Sequence, residues 1–169
     1  MEIKNDFKIS NPALDGQRNI CQRRAATISY MLDEARKRGL DEEFARAAIY
    51  QYGRDIGEKM FQSLQNPTDL KEFETFFAAM PHRDIYEMTT EECTDERLLV
   101  HFHYCPYVAE WLEQNRDDEE LSNLCDLAME GDRAIGDCFP AFQFRLGKTI
   151  AQGNSVCEIE FTRKRGVEK

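Results

Sequence analysis

Nowhere in its 169 residues does this chain approach the ~20 consecutive apolar residues that a membrane-crossing helix needs, so no membrane partner is expected. Residues 1–15 are polar, with Asp6 and Lys8 inside any would-be apolar stretch; no secretory leader is expected and the chain reads as cytoplasmic. Positive charge is scarce. Lys and Arg number 22 against 32 Asp and Glu, a formal net charge of -10. Phosphate backbones require clustered cations, so nucleic acid is excluded as a partner class. The one dense basic run, Arg163-Lys164-Arg165, reads as a solvated end. Six cysteines are present, yet none forms a Cys-x-x-Cys pair. That removes a thioredoxin-type redox pair and a zinc ribbon, and in a reducing compartment leaves thiols rather than a disulfide framework. Internal repeats and low-complexity stretches are also missing. Gly147-Lys148-Thr149 lacks the glycine that a phosphate loop carries five residues earlier, where Phe142 stands.

What is present is a globular composition, 41% hydrophobic and 32% charged, long enough for a single domain over 1–169 with a substantial core. The chain divides into a helical half, 1–80, and a mixed half, 81–163. Residues 17–38 carry Cys21, Ala25, Ile28, Leu32 and Ala35 at helical spacing, with Gly39 as the stop. Asp41 caps a second helix with the stripe Phe44, Ala48, Tyr52, Ile56 and Met60, and Gly53 and Gly57 would let another backbone approach closely. A third helix carries Leu70, Phe73, Phe76, Phe77 and Met80 and ends at Pro81. The period then changes. Residues 84–92 and 97–104 alternate around a turn at Thr94-Asp95-Glu96, predicting a hairpin. Pro106 opens a short helix with Val108, Trp111 and Leu112, and a further helix spans Asp118 to Ile135. Strands at 141–151 and 155–163 meet at Gln152-Gly153-Asn154, where a Gly-first turn suits a type II′ hairpin. Alternation turns Cys157, Ile159 and Phe161 inward and leaves Glu158 and Glu160 solvated. The sum is an α+β fold: N-terminal helices, then a small four-stranded antiparallel sheet of two hairpins with helices packed on one face.

Three cysteines stand out because each sits in a different kind of segment. Cys105 ends a strand in His103-Tyr104-Cys105-Pro106, Cys125 lies on the apolar face of a helix, and Cys157 faces inward on the last strand. They could supply three thiolates to zinc, one could be a nucleophile activated by His103, or all could be inert core thiols. Cys21, Cys93 and Cys138 have no polar company in sequence and read as structural. Asp132 falls seven residues after Cys125 on the same helical face, which makes it a partly buried carboxylate in need of a partner, with Arg145 or Lys148 on the neighbouring strand as candidates. It is either a structural ion pair or a general base. His101 and His103, two apart on a strand, point to one face and offer two imidazoles, or are simply a half-exposed face.

The order of these segments carries a resemblance over the C-terminal half. Cys105-Pro106 before a short helix, a helix with Cys125 and Asp132, a strand with Arg145, Lys148-Thr149-Ile150-Ala151-Gln152-Gly153 and finally Cys157-Glu158-Ile159-Glu160-Phe161 together resemble the L-2-amino-thiazoline-4-carboxylic acid hydrolase family. The shared core is also similar to the small-molecule-binding domain of the 4-vinyl reductase type. Glu158 departs from the pattern, in which Asp is more usual. The resemblance implies a hydrolase that opens a cyclic amidine to an N-carbamoyl amino acid, with Cys125 or Cys157 as nucleophile or metal ligand, Asp132 or His103 as base, and Arg145 or Lys148 holding the substrate carboxylate. Cys105, Cys125 and Cys157 would be the ligands of any zinc. The competing readings are a sensor module that binds a small molecule or metal without turnover, and a scaffold that forms a homodimer through its N-terminal helices.

Overall fold

The structure, a computed structural model, describes residues 3–166. Helix α1, Pro12–Lys37, starts earlier than its apolar stripe suggests, because Asn11 caps it by accepting from Leu14 N (3.0 Å) and Pro12 sits at its first position. Gly39, at φ 71, ends it. Helix α2 follows at Glu43–Ser63, with Asp41 Oδ1 accepting from Glu43 N. The α2 face that turns inward differs from the expected stripe. Ile49, Gly53 and Gly57 are buried, while Phe44 and Tyr52 are 44% and 46% exposed. The reason is backbone proximity to helix α7, Glu130–Asp137: a Cβ on Gly53 would lie 2.2 Å from Gly131 O, and one on Gly57 2.7 Å from Cys138 Sγ. The two glycines pack as their spacing foretold, and that contact rotates the aromatic residues outward.

Helix α3, Leu70–Phe77, is capped by Asp69 and buries Leu70, Phe73 and Phe77, leaving Phe76 and Met80 exposed. Where a strand was expected from residue 84, a one-turn helix α4, His82–Ile85, comes first, and strand β1 begins only at Met88 and runs to Cys93. Strand β2, Arg97–Phe102, pairs with it, with a bulge at Glu91. Helix α5, Pro106–Glu113, follows. The single helix expected over 118–135 is two, α6 at Asp118–Ala128 and α7, meeting at Met129.

Strand β3, Phe142–Leu146, and strand β4, Cys157–Arg163, are shorter than the alternation suggested. They are joined by a loop with a 3-10 turn at Ile150–Gln152, closed by left-handed Gly153, rather than by a two-residue II′ turn. The sheet is antiparallel throughout, in the order β1-β2-β4-β3. Leu98, Val100, Phe102, Cys157, Ile159 and Phe161 form its covered face, and the core draws on both halves of the chain through Ala25, Leu32, Phe73, Leu124 and Phe139. Trp111 is fully buried and donates Nε1–H to Ala25 O (3.1 Å), tying α5 to α1. Two surface expectations are corrected. Glu160 is 6% exposed, because Arg97 and Arg145 flank its carboxylate. Arg163 folds back to donate to Asp95 O and Thr68 O rather than lying free in solvent.

Candidate active site

Helix α1 packs chiefly on α5, and α2 on α7. Cys105 is the cap residue of α5; Asn5 fixes its backbone, accepting from Cys105 N and donating to Cys105 O, both at 2.8 Å. Its thiol therefore sits at the helix start, where the Tyr107 and Val108 amides point at sulfur and favour the thiolate. Burial wins over those amides and pushes the Cys105 thiol up to about 11.

The three sequence-distant thiols are near enough to act on one another electrostatically. Cys125, from α6, is pushed up to about 12 by burial and then by neighbouring Cys105. Cys157, at the start of β4, is raised by burial, then by Cys105 and Cys125, while its sulfur accepts from Ile150 N at 3.3 Å. The buried Thr149 hydroxyl lies against the Cys125 thiol and has no well-formed hydrogen bond. All three thiols are 9% exposed or less.

Asp132 completes the group. It lies in the first turn of α7, and burial raises its carboxyl to about 6 against the weaker pull of its own amide, Arg133 and Arg24. Among the described residues no ion pair neutralises it: Arg133 is held by Asp126 and Glu130. Asp132, Cys21, Tyr86 and Tyr107 are crowded by protein yet keep part of their surface accessible, as the lining of a crevice does. Burial raises the Tyr86 and Tyr107 phenols, which stay neutral donors. Cys21 lies against the Tyr86 hydroxyl. At the rim, the Arg24 guanidinium from α1 rests 4.2 Å over the Tyr52 ring from α2.

Three residues expected in the site are elsewhere. His103 belongs to the opposite, open face of the sheet, where its Nε2 is 2.8 Å from Thr89 Oγ1. Arg145 is on that same open face, bound to Glu160. Lys148 is exposed on the β3–β4 loop, its amide 3.3 Å from Glu158 Oε2. Strand alternation puts Arg145 and Glu160 on the side away from Cys157, and neither Arg145 nor Lys148 is among the groups that shift Asp132. The cations that act on Asp132 are Arg133, its chain neighbour, and, from the helical half, Arg24. Nothing in the sequence of the helical half marked it, although Cys21 and Arg24 lie three apart and so share one face of α1. Tyr86, Tyr107 and Cys21 were missed for the same reason: each stands alone in its segment.

As zinc ligands the thiols are too spread. Tetrahedral ligation at ~2.3 Å per sulfur needs donors within ~4 Å of one another. Among the described residues, Cys105, Cys125 and Cys157 do not form a group with donor atoms within 4.8 Å. The arrangement thus offers a carboxyl poised near neutrality, a wall of neutral thiols and phenols, and one cation at the mouth. Two surface cavities, of ≈ 450 Å³ beside Phe7 and Tyr104 and ≈ 440 Å³ beside Tyr30 and Phe44, do not include the thiols.

The chain matches the sequence profile of the L-2-amino-thiazoline-4-carboxylic acid hydrolase family over residues 18–161, a span that takes in every group of the crevice. No curated protein matches it.

Proposed function

The chain belongs to the L-2-amino-thiazoline-4-carboxylic acid hydrolase family, and from that premise we propose that it hydrolyses a cyclic amidine of the 2-amino-thiazoline-4-carboxylate type to an N-carbamoyl amino acid. The observation that carries this reading is Asp132, a carboxyl held at about 6 in a thiol-walled crevice. A base tuned to that range is ionised at neutral pH and still a competent proton acceptor.

In the reaction, water oxygen bonds to the ring carbon between sulfur and nitrogen, and the carbon–sulfur bond breaks. One water hydrogen ends on the ring nitrogen and the other on the released sulfur. Asp132 takes a proton from the attacking water and returns it to the leaving sulfur, serving as base and then acid. Moving a proton from a thiol at about 11 to a carboxyl at about 6 would cost about 7 kcal/mol before any bond forms, which favours water over a preformed Cys105 thiolate. The thiols act as a neutral wall of low polarity that keeps Asp132 raised. Arg24 provides the bidentate partner for the substrate carboxylate that Arg145 is too remote to be.

Formation of N-carbamoyl-cysteine from thiazoline carboxylate, followed by NMR, tests the assignment. Asp132→Asn is expected to lower kcat ~100- to 10,000-fold. Arg24→Met should raise KM with kcat little changed, and single Cys→Ser changes at 105, 125 and 157 should keep turnover. In the wild type, kcat/KM should climb with pH through about 6 and level off. Full activity in Asp132→Asn, or its loss in Cys105→Ser alone, would overturn the general-base route. Tight binding of the thiazoline without turnover would instead support a sensor of the 4-vinyl reductase type.

A further inference from the structure

The open face of the sheet carries a second cluster that the crevice chemistry does not use. His101 projects from β2 and His103 from the residue just past its end, their ring centroids 6.3 Å from each other. Opposite them the β1–β2 register jumps between Thr90 and Glu92, so Glu91 is the bulged residue, and a bulge re-aims its side chain. Glu91, His101 and His103 each bring one donor atom to within 4.8 Å of the other two.

We propose that Glu91, His101 and His103 bind a divalent transition-metal ion of the zinc class on this face. Two imidazoles and a carboxylate are a donor set that zinc accepts, and three protein ligands leave a position for water. The surroundings fit. Thr89 donates its hydroxyl to Glu91 Oε1 and lies 2.8 Å from His103 Nε2. With that hydroxyl proton committed to Glu91, it accepts from Nε2–H, which leaves the other ring nitrogen of His103 free to ligate. His101 Nε2 is buried and has no hydrogen-bond partner. Glu91 from β1 lies 3.8 Å from its Nδ1, and Glu158 stands in register with it on β4. The nearby cations on this face do not compete, because Arg97 is held by Glu92 and Glu160, and Arg145 by Glu160. A bound ion would cross-link edge strand β1 to β2.

Calorimetric titration of the metal-free chain with Zn²⁺, paired with Co²⁺ absorption spectra, tests the site. One equivalent should bind, with affinity reduced at least ~10-fold in His101→Ala, His103→Ala and exposed Glu91→Gln, which removes a ligand without touching the strand core. Co²⁺ should give ligand-field bands without thiolate charge transfer. Unfolding curves in EDTA identify any variant that loses its fold, and the comparison then rests on Glu91→Gln. Failure to bind below millimolar Zn²⁺, unchanged binding in Glu91→Gln and both histidine variants, or a thiolate charge-transfer band would overturn the proposal.

Discussion

Asp132 shows what a single residue costs its fold. A carboxyl whose folded-state value is about 6, against an ordinary 3.8, binds its proton more tightly in the folded chain than in the unfolded one. The stability it lends is therefore complete below pH 3.8 and is lost as pH rises through about 6. Above that, the buried charge is a liability of ~2–3 kcal/mol. Asp132→Asn should then be more stable than the wild type at pH 7 by roughly this amount, with the difference vanishing near pH 4. Urea denaturation at the two pH values measures it. A variant that is more stable and less active at once would mark the carboxyl as kept for chemistry; equal stability at both pH values would show that Asp132 is solvated or paired after all.

At the scale of elements, α2 and α7 meet through glycine. Gly53→Ala would thrust a methyl to 2.2 Å from Gly131 O and 2.8 Å from Ala134 Cβ, a clash with backbone that no side-chain rotation relieves. We expect a loss of ~3 kcal/mol in chemical denaturation. Because α7 carries Asp132, turnover should fall further than the fraction unfolded explains. The same element shows what the sequence could and could not disclose. The strands, their inward residues and the close approach at Gly53 and Gly57 were legible because each follows from a local period or a missing side chain. The stripe Phe44, Ala48 and Tyr52 misled because apolar size was read as burial, whereas α2 is positioned by its smallest residues. Met129 broke a helix that looked continuous, since no proline marks the junction and Gly131, two residues on, is taken into α7. Cys105, Cys125, Cys157 and Asp132 could be picked out by facing direction. Arg24 and Tyr86 could not, because their place in the crevice depends on how α1 and the α4–β1 corner pack across the chain.

Across the whole molecule, one buried pair anchors the N-terminal segment. Arg18 and Glu87 have side chains 3% and 6% exposed and meet at 3.0 Å. Arg18 also donates to Ile9 O, Asp84 O and Ile85 O, and its guanidinium lies 4.9 Å from the Phe7 ring and 4.7 Å from that of Tyr104. Glu87 accepts from Lys8 N and Ile9 N and holds a left-handed backbone, φ 48. Asn5, three residues before Lys8, fixes Cys105, so this anchorage reaches the crevice. Arg18→Met leaves the Glu87 charge buried alone and should cost ~3–5 kcal/mol, part of which Arg18→Met with Glu87→Gln restores. Equilibrium unfolding of both variants checks this; a single change as mild as the double would mean that the pair is not coupled.

Trp111 gives the molecule an optical property. It is the chain's single tryptophan, sealed from water, and its ring stacks 5.8 Å from that of Tyr107, a wall of the crevice. Excited at the red edge of the indole band, where its six tyrosines do not absorb, this chain therefore emits from one source and one address. Light absorbed by the indole is returned from the seam between α1 and α5, beside the place where a substrate would rest, so that occupancy of the crevice can be followed in the unlabelled protein by its own fluorescence.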